Sequence, residues 1–412
     1  MKADCVSGAI EINLVIPLSI EYFPRKVVVA KESAMSETRF FTDLRDQISD
    51  LGGILNAHLH LDRSGTYDAT LRILRDAGQG DQRSSLSLAR KHSLIPLIHA
   101  SDCYDPASLK KRVRVYLEKL VRAGTTRADT LVDVTVDRVK LTALEVFLEL
   151  KQEFQAVLDF RVGAYSPLGF KDAEPERWSL LEEAAILADF VGGLPERDDR
   201  FDYPDHIGFE ECCRRLVSLS EDLGKPLHLH VDQKNMEDEN GAERALNVIA
   251  DLALKDSIQG ASPLLWFVHM ISSSAYDEVR FQRLLDRLVE HQVGVICCPS
   301  AAISMRQVRG VSAPTHNSIA RVLEMLEVGI PVRIGSDNIC DITSPAGTTD
   351  LVDELFVLCN TLRFYDEPIL AKLGAGLPLS DIERARVQRH LKNDREETMQ
   401  AVSRVSRIRE AA

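Results

Sequence analysis

The stretch GGILNAHLHLD, residues 52–62, ends an apolar segment with two histidines placed two positions apart. Side chains alternate between the two faces of a β-strand, so His58 and His60 are predicted to share one face, with Leu59 and Leu61 on the other. Two imidazoles on one face are able to hold a single metal ion. In the alternative interpretation, one histidine caps a loop and the other is a satisfied core residue. The rest of the chain has to decide between them.

The same type of apolar segment recurs along the chain, and segments with helical spacing separate the copies. Asp105-Pro106 is a helix-start signal, and Gly124, Gly224 and Gly329 are stop signals. The predicted strands span residues 52–60, 125–134, 157–166, 189–195, 226–232, 264–270, 293–300 and 331–337. Eight strands that alternate with helices predict an α/β fold, a (β/α)8 TIM barrel. A doubly wound open sheet is the alternative.

Three regions are predicted from this pattern. Residues 1–51 form an N-terminal appendage of strands plus a helix, residues 52–365 form the barrel, and residues 366–412 form a helical C-terminal extension. Residues 62–105 form a long insertion after the first strand, and a connection of this length is usually functional or lid-like.

The composition narrows the class of protein. The 412-residue chain has a net charge of −13, which argues against a nucleic-acid partner and against an anionic membrane surface. Its eight cysteines form no C-x-x-C pair, a pattern typical of a reduced compartment. No apolar run is long enough to span a membrane, and residues 8–20 lack the features of a signal peptide. We expect a cytoplasmic homo-oligomer that acts on a small molecule.

Active sites of such barrels lie at the carboxyl ends of the strands. Of the 11 histidines in the chain, four are predicted to lie at this rim, because His230 ends the fifth strand and His269 ends the sixth. Asp337 ends the eighth strand. Three neutral imidazoles and a carboxylate suit one Zn²⁺ or Fe²⁺, so His58, His60, His230 and Asp337 are the predicted metal ligands.

Other histidines are weaker candidates for the metal. His228 shares a strand face with His230 but is predicted to lie one layer deeper in the barrel. His92 and His99 belong to the insertion and are predicted to be surface or lid residues rather than ligands.

The chemistry of these residues predicts their roles. A bound divalent metal lowers the pKa of water toward about 7. Asp337 is then placed to take the proton from that water and pass it to a leaving nitrogen. His269 is predicted to orient the water or to stabilise the developing oxyanion.

The motifs HLHLD (58–62), HVDQ (230–233), VHM (268–270) and GSDNICD (335–341) together resemble the amidohydrolase superfamily, in its mononuclear cytosine deaminase branch. The resemblance covers roughly residues 52–365. It implies one divalent metal held by the four ligands named above. Binuclear relatives carry a lysine on strand four, and neither residues 157–166 nor residues 189–195 contain one.

The chain departs from that branch at three substrate-contact positions. Gln233 stands where the family has a proton-shuttling glutamate, and a carboxamide cannot serve as a general acid or base. Asn338 replaces a second aspartate, and Pro167 falls near the position of a substrate-binding glutamine. These changes argue against cytosine as the substrate. Arg63 and Arg306 are candidates for contact with an anionic substrate, and a surface salt bridge is the alternative for each.

The predicted function is hydrolysis of a non-peptide C–N bond in a small, cyclic amide, lactam or amidine metabolite. Asp337, His269 and Gln233 are the predicted catalytic residues, and Gln233 is also a predicted substrate contact. Two alternatives stay open at this point: a deaminase of a nitrogen heterocycle other than cytosine, and a non-catalytic binding protein on the same scaffold.

Overall fold

A computed structural model describes residues 38–78, 86–252, 258–259, 262–305 and 319–411, with side chains described up to residue 400 except at 258–259. A single sheet of eight parallel strands forms its centre. The strands are β1 (Ile54–Leu59), β2 (Thr125–Asp133), β3 (Asp159–Tyr165), β4 (Phe190–Gly193), β5 (Leu227–Val231), β6 (Leu265–His269), β7 (Gly294–Cys297) and β8 (Val332–Ile334).

The strands pair in sequence order, and the last one returns to the first. A parallel bridge joins Leu59 to Asp337, and the Asp337 N–H donates to the His58 carbonyl at 2.9 Å. Gly335 permits this close approach, since a Cβ atom there would lie 2.7 Å from the His58 Cβ. Sequential order with closure confirms the predicted (β/α)8 barrel and excludes the doubly wound sheet.

Helices cover the outside of the barrel, and they follow the strands as predicted. Helix α5 begins at Pro106 with Asp105 as its N-cap residue, and α8 ends at a left-handed Gly224. The helices are α1 (Arg39–Asp50), α2 (Tyr67–Asp76), α3 (Leu88–His92), α4 (Ile95–His99), α5 (Pro106–Arg122), α6 (Thr142–Phe154), α7 (Glu176–Leu187), α8 (Phe209–Leu223), α9 (Gly241–Leu252), α10 (Glu278–Glu290), α11 (Pro299–Ile303), α12 (Val322–Glu327), α13 (Leu351–Leu362), α14 (Glu367–Gly374) and α15 (Asp381–Ala411).

The additions to the barrel are largely helical. The insertion after β1 contains α2, α3, α4 and a 3₁₀ turn at Asp102–Tyr104, and the C-terminal extension ends in the long helix α15. The predicted strands near the N-terminus lie outside the described residues. Within the described part of the chain, no helix is both long and apolar enough to cross a membrane.

The strands form the buried centre of the protein. Every residue of β1, β4, β5, β6 and β7 is buried. Because the strands are parallel, their carboxyl ends lie at the same end of the barrel. The polar residues of the sequence motifs lie together there, where the loops begin.

Candidate active site

Four histidines and one aspartate converge at the carboxyl end of the barrel. The His58 Nε2 lies 3.1 Å from the His230 Nε2, and the His60 Nε2 lies 3.5 Å from the Asp337 Oδ1. Asp337 is also 3.9 Å from the Nε2 atoms of His58 and His269. Two overlapping groups have ligand atoms that all lie within 4.8 Å of one another: His58, His230 and His269, and His58, His60 and Asp337.

These residues fit a divalent metal ion. Tetrahedral zinc with Zn–N bonds of 2.0–2.1 Å separates its ligand atoms by about 3.3 Å, close to the shorter distances seen here. The His230 Nδ1–H donates to the Gly193 carbonyl at 2.9 Å, which leaves the Nε2 lone pair directed toward His58. The Nδ1 atoms of His58, His60 and His269 are buried and have no hydrogen-bond partner among the described residues, so packing orients those rings.

The local environment keeps these imidazoles neutral, which is the form that binds metals. Burial lowers the pKa of His58 and His60 well below the usual value, and the neighbouring imidazoles for His58 and the Arg63 guanidinium for His60 act in the same direction. Burial likewise lowers the pKa of His230 to about 4 and that of His269 well below normal. Burial and the nearby Asp341 carboxylate raise the pKa of Asp337 to about 7.

Backbone strain is concentrated where the strands end. Four residues there adopt positive φ: Asp232 (58°), His269 (79°), Met270 (49°) and Asp337 (60°). Such conformations cost of order 1–3 kcal/mol in a residue other than glycine and recur at functional sites. Here they turn the chain sharply at the ends of β5, β6 and β8, next to the histidine cluster.

Gln233 has a carboxylate neighbour that sequence reasoning did not identify. Its Nε2 lies 3.1 Å from the Oε2 of Glu196, whose other oxygen accepts from the Asp232 N–H at 2.7 Å. Burial, together with Glu239 and Asp232, raises the pKa of Glu196 well above normal. The carboxyl group absent at position 233 is therefore present one hydrogen bond away, carried by the 3₁₀ turn Pro195–Asp198 that follows β4.

The other predicted substrate contacts have different surroundings. Asn338 is buried and its Nδ2 donates to the Asp341 Oδ2 at 2.6 Å. Pro167 is buried in the turn after β3. Arg306 lies outside the described residues.

Arg63 is buried rather than exposed, and its charge is already paired. Its Nε and Nη2 donate to both Asp133 oxygens at 2.9 and 2.6 Å. His99 places its two ring nitrogens against carboxylates, Nε2 at 3.1 Å from Asp133 and Nδ1 at 2.7 Å from Asp137. His99 is therefore a buried ion-pair residue that links the insertion to the end of β2, and not a surface residue. We call Arg63, His99, Asp133 and Asp137 the ionic clasp.

The remaining histidines take distinct places. His228 is buried with its ring 6.1 Å from that of His58 and 4.5 Å from Phe190, as expected for a deeper layer of the barrel. His92 is half-buried, and it interacts electrostatically with His230 and His269. Burial, followed by the positive charges of Arg63 and Arg197, lowers the pKa of His92 to about 3.

Tyr165, Glu196 and Arg197 belong to the surroundings of the site but were not predicted from the sequence. The Tyr165 ring lies 5.4 Å from the His60 ring and 5.3 Å from the His230 ring. Tyr165 ends β3, and this position at a strand end could have identified it from the sequence as a residue of the site. Glu196 and Arg197 follow β4 in the same manner.

Comparison with known proteins gives relatives at low identity. No protein-family model matches the chain. An uncharacterized protein of Haemophilus influenzae is 24% identical over 290 residues, which cover 70% of this chain and 95% of that protein. The structure of 5-methylcytosine deaminase from Klebsiella pneumoniae, liganded with 5-fluorocytosine, has a TM-score of 0.63 at 22% identity, covering 76% of this chain and 69% of that one.

Two further solved structures share the architecture. N-isopropylammelide isopropylaminohydrolase from Burkholderia multivorans has a TM-score of 0.58 at 20% identity, covering 78% of this chain and 73% of that one. The N6-mAMP deaminase of Arabidopsis has a TM-score of 0.53 at 12% identity, covering 84% and 99%. The chain therefore shares the TIM-barrel fold of these solved structures.

Proposed function

We propose that this protein is a metal-dependent hydrolase of a C–N bond other than a peptide bond, in a small cyclic amide, lactam or amidine. The observation that carries the proposal is the convergence of His58, His60, His230, His269 and Asp337 at the carboxyl rim of the barrel. The solved structures that share this fold include a 5-methylcytosine deaminase and an N-isopropylammelide isopropylaminohydrolase, which supports the same reaction class.

His58, His60, His230 and Asp337 would hold one divalent ion, Zn²⁺ or Fe²⁺. When bound, the ion supplies Lewis acidity that lowers the pKa of water toward about 7. Asp337, whose carboxylate lies 3.5 Å from the His60 Nε2, is suited to accept a proton at one oxygen and return it to a leaving nitrogen. His269, 3.9 Å from Asp337, is positioned to orient the attacking water or to stabilise the developing oxyanion.

The carboxamides beside the centre are proposed to position the substrate. Gln233 and Asn338 both lie within three residues of a proposed ligand, and each is held by a carboxylate, Glu196 and Asp341 respectively. A carboxamide with one edge held this way presents its remaining edge in a fixed orientation. Pro167 is proposed to shape the wall of the same pocket after β3.

Deamination of a nitrogen heterocycle other than cytosine is a second candidate, and the Glu196–Gln233 contact favours it. Deamination needs a proton at a ring nitrogen as well as at the leaving ammonia. Gln233 cannot supply that proton, but the Glu196 carboxyl group, whose raised pKa favours its protonated form, lies 3.1 Å from Gln233. A binding protein without catalysis is the candidate from a different class.

A substrate panel on metal-loaded protein tests the proposal. The panel contains cyclic amides, lactams, amidines and amino-substituted heterocycles, and the readouts are ring-opened product and released ammonia. We expect turnover of at least one class, with Asp337→Asn as the matched variant that retains the fold and loses the rate. Release of ammonia without ring opening would select deamination. Binding of panel members without any turnover would contradict catalysis and select the binding protein.

We also propose a cytoplasmic location and a homo-oligomeric state, and we keep residues 1–51, 52–365 and 366–412 as the proposed regions of the chain. The thiols support the first of these: within the described part of the chain, every cysteine is a free thiol.

A further inference from the structure

Arg197 carries a positive charge that no carboxylate in the described ranges of the chain balances. Among the described residues, no Asp or Glu oxygen pairs with its guanidinium, whereas Arg63 is held by both oxygens of Asp133. The one hydrogen bond of Arg197 to a residue that the structure describes runs from Nη1 to the Tyr203 hydroxyl at 2.7 Å. The guanidinium also stacks over the Tyr203 ring, 4.4 Å from its centroid, which fixes the plane of the group.

This arrangement leaves one edge of the guanidinium unused. The Nε–H of Arg197 is buried and has no partner in the part of the chain that the structure describes. Nε and Nη2 point in parallel along the edge opposite Nη1, in the geometry that binds the two oxygens of a carboxylate. A buried donor without a partner destabilises the folded protein by about 1–3 kcal/mol, and by more when the group is charged. The unpartnered Nε–H therefore calls for a specific explanation, such as a bound ligand.

Arg197 belongs to the rim of the active site. Arg197 lies in the 3₁₀ turn Pro195–Asp198, directly after β4, where Gly193 accepts from His230. The preceding residue, Glu196, contacts Gln233. On the other side, the charge of Arg197 lowers the pKa of His92 in the insertion.

The turn that carries Arg197 is held firmly by its neighbours. Asp198 accepts from the Phe170 N–H at 2.7 Å and from the His206 ring at 3.1 Å. Glu196 accepts from Asp232. Because residues on both sides of Arg197 are anchored, little ordering is required for it to engage a ligand.

We propose that Arg197 binds a carboxylate, or an oxyanion of similar shape, on the substrate, so that the enzyme is selective for anionic heterocycles. The inference rests on the proposed function for the identity of the reacting ring, but the binding contact itself requires no turnover. It assigns to Arg197 the role that the sequence suggested for Arg63 and Arg306. Arg63 is already paired with Asp133. The anionic group of the substrate lies instead between His92 and the turn that follows β4.

Binding measured by calorimetry on metal-loaded protein tests this proposal. The probes are heterocycle pairs that differ by one carboxylate: uracil and orotate, dihydrouracil and dihydroorotate, cytosine and 5-carboxycytosine. We expect at least one carboxylated member to bind more tightly than its neutral partner. Arg197→Gln is expected to weaken its binding at least tenfold while the neutral partner is unaffected. Arg197→Lys keeps the charge but loses the fork, so an intermediate loss is expected.

Arg214→Gln is the matched control, because it removes an exposed arginine that pairs with the half-buried Glu211 on α8. It should change neither Kd. The proposal is overturned if no carboxylated probe is preferred, or if Arg197→Gln binds it as the wild type does while metal content and Tm are unchanged. Failure of the catalytic proposal would give a different result: the carboxylated probe would bind more tightly in a manner that depends on Arg197, but no probe would be turned over.

Discussion

Two buried regions of this protein drive their histidines to opposite charge states. Around the proposed metal centre, His58 and His60 lie among other imidazoles, and burial lowers the pKa of both well below normal. In the ionic clasp, burial also opposes the charge of His99. Hydrogen bonds to Asp133 and Asp137 nevertheless raise the pKa of His99 to about 9. His60 and His99 are therefore neutral and cationic respectively, although both respond to Asp133.

The difference shows that carboxylate contact, and not burial alone, decides what a buried histidine does. Both nitrogens of His99 face carboxylate oxygens, so the ring donates twice and is held as a cation. The His58 Nε2 instead faces a second imidazole lone pair, an arrangement that a shared cation stabilises. One group is suited to ligate a metal, and the other stabilises the fold. The two groups should therefore respond differently to mutation.

The largest effect is expected at Asp337, which lies in the proposed metal centre. Asp337→Asn keeps the shape of the side chain but removes its ability to take up a proton. Turnover of the substrate identified by the panel should fall by about 10² to 10⁴, the usual contribution of a general base. Initial rates and substrate binding should be measured together, since binding should survive better than turnover. A near-normal rate would contradict the proton-transfer role.

Removing the central carboxylate of the ionic clasp should affect stability rather than metal binding. Asp133→Asn leaves the buried Arg63 charge and the His99 cation without their shared partner, so we expect a loss of about 3–5 kcal/mol in the free energy of unfolding. Urea denaturation measures this change. Asp159→Asn is the control, because its carboxylate is half exposed and pairs with Arg161 at the surface, where a change under about 1 kcal/mol is expected. Equal losses in the two variants would contradict the clasp.

The clasp should also make stability depend on pH above neutrality. The folded pKa of His99, about 9, exceeds the unfolded value near 6.5, so its stabilisation is complete below about pH 6.5 and is lost as the pH rises through 9. The full contribution is on the order of 3 kcal/mol. The difference in unfolding free energy between wild type and His99→Asn, measured from pH 6 to 10, should shrink as the pH rises. A difference that is constant or grows over this range would show that His99 is neutral in the folded protein.

A smaller effect is expected at Gln233, where the proposed substrate contact meets Glu196. Gln233→Glu places a second carboxyl group beside Glu196, and repulsion between the two raises the pKa of one of them. The N–H donors of the Gln233 amide are also lost. We expect kcat/KM on the native substrate to fall at least about tenfold, equivalent to 1.36 kcal/mol. Cytosine should not become a substrate, because Asn338 and Pro167 are unchanged.

The reciprocal variant sharpens this experiment. Combining Glu196→Gln with Gln233→Glu restores one carboxyl and one carboxamide, so it should recover part of the loss that either single change causes. Strictly additive losses in kcat/KM would show that the two side chains do not act as a pair.

The sequence was sufficient for the barrel and for the histidine cluster because both follow from local rules. Alternation along β1 places His58 and His60 on one face, and parallel strands bring His230, His269 and Asp337 to the same rim. The strand ends were predicted less well. Residues 189–195 were assigned to the fourth strand, but β4 ends at Gly193 and the next residues turn.

That short strand is the reason that Glu196 was missed, since the turn after Gly193 presents it to Gln233. The charge pair between Arg63 and Asp133 could not be predicted either. The two residues are far apart in the sequence, and either one was equally suited to a surface position. Contacts of this kind depend on how the loops fold over the rim, for which a single sequence carries no periodic signal.

Metal stoichiometry tests the central claim most directly. Elemental analysis of purified wild-type protein should give about one tightly bound divalent ion per chain. His230→Ala should lose that ion, while His99→Asn, which removes a histidine from the ionic clasp, should retain it. Two strongly bound ions per chain would contradict a mononuclear centre. Retention of the metal in His230→Ala, or its loss in His99→Asn alone, would contradict the assignment of the two histidine groups.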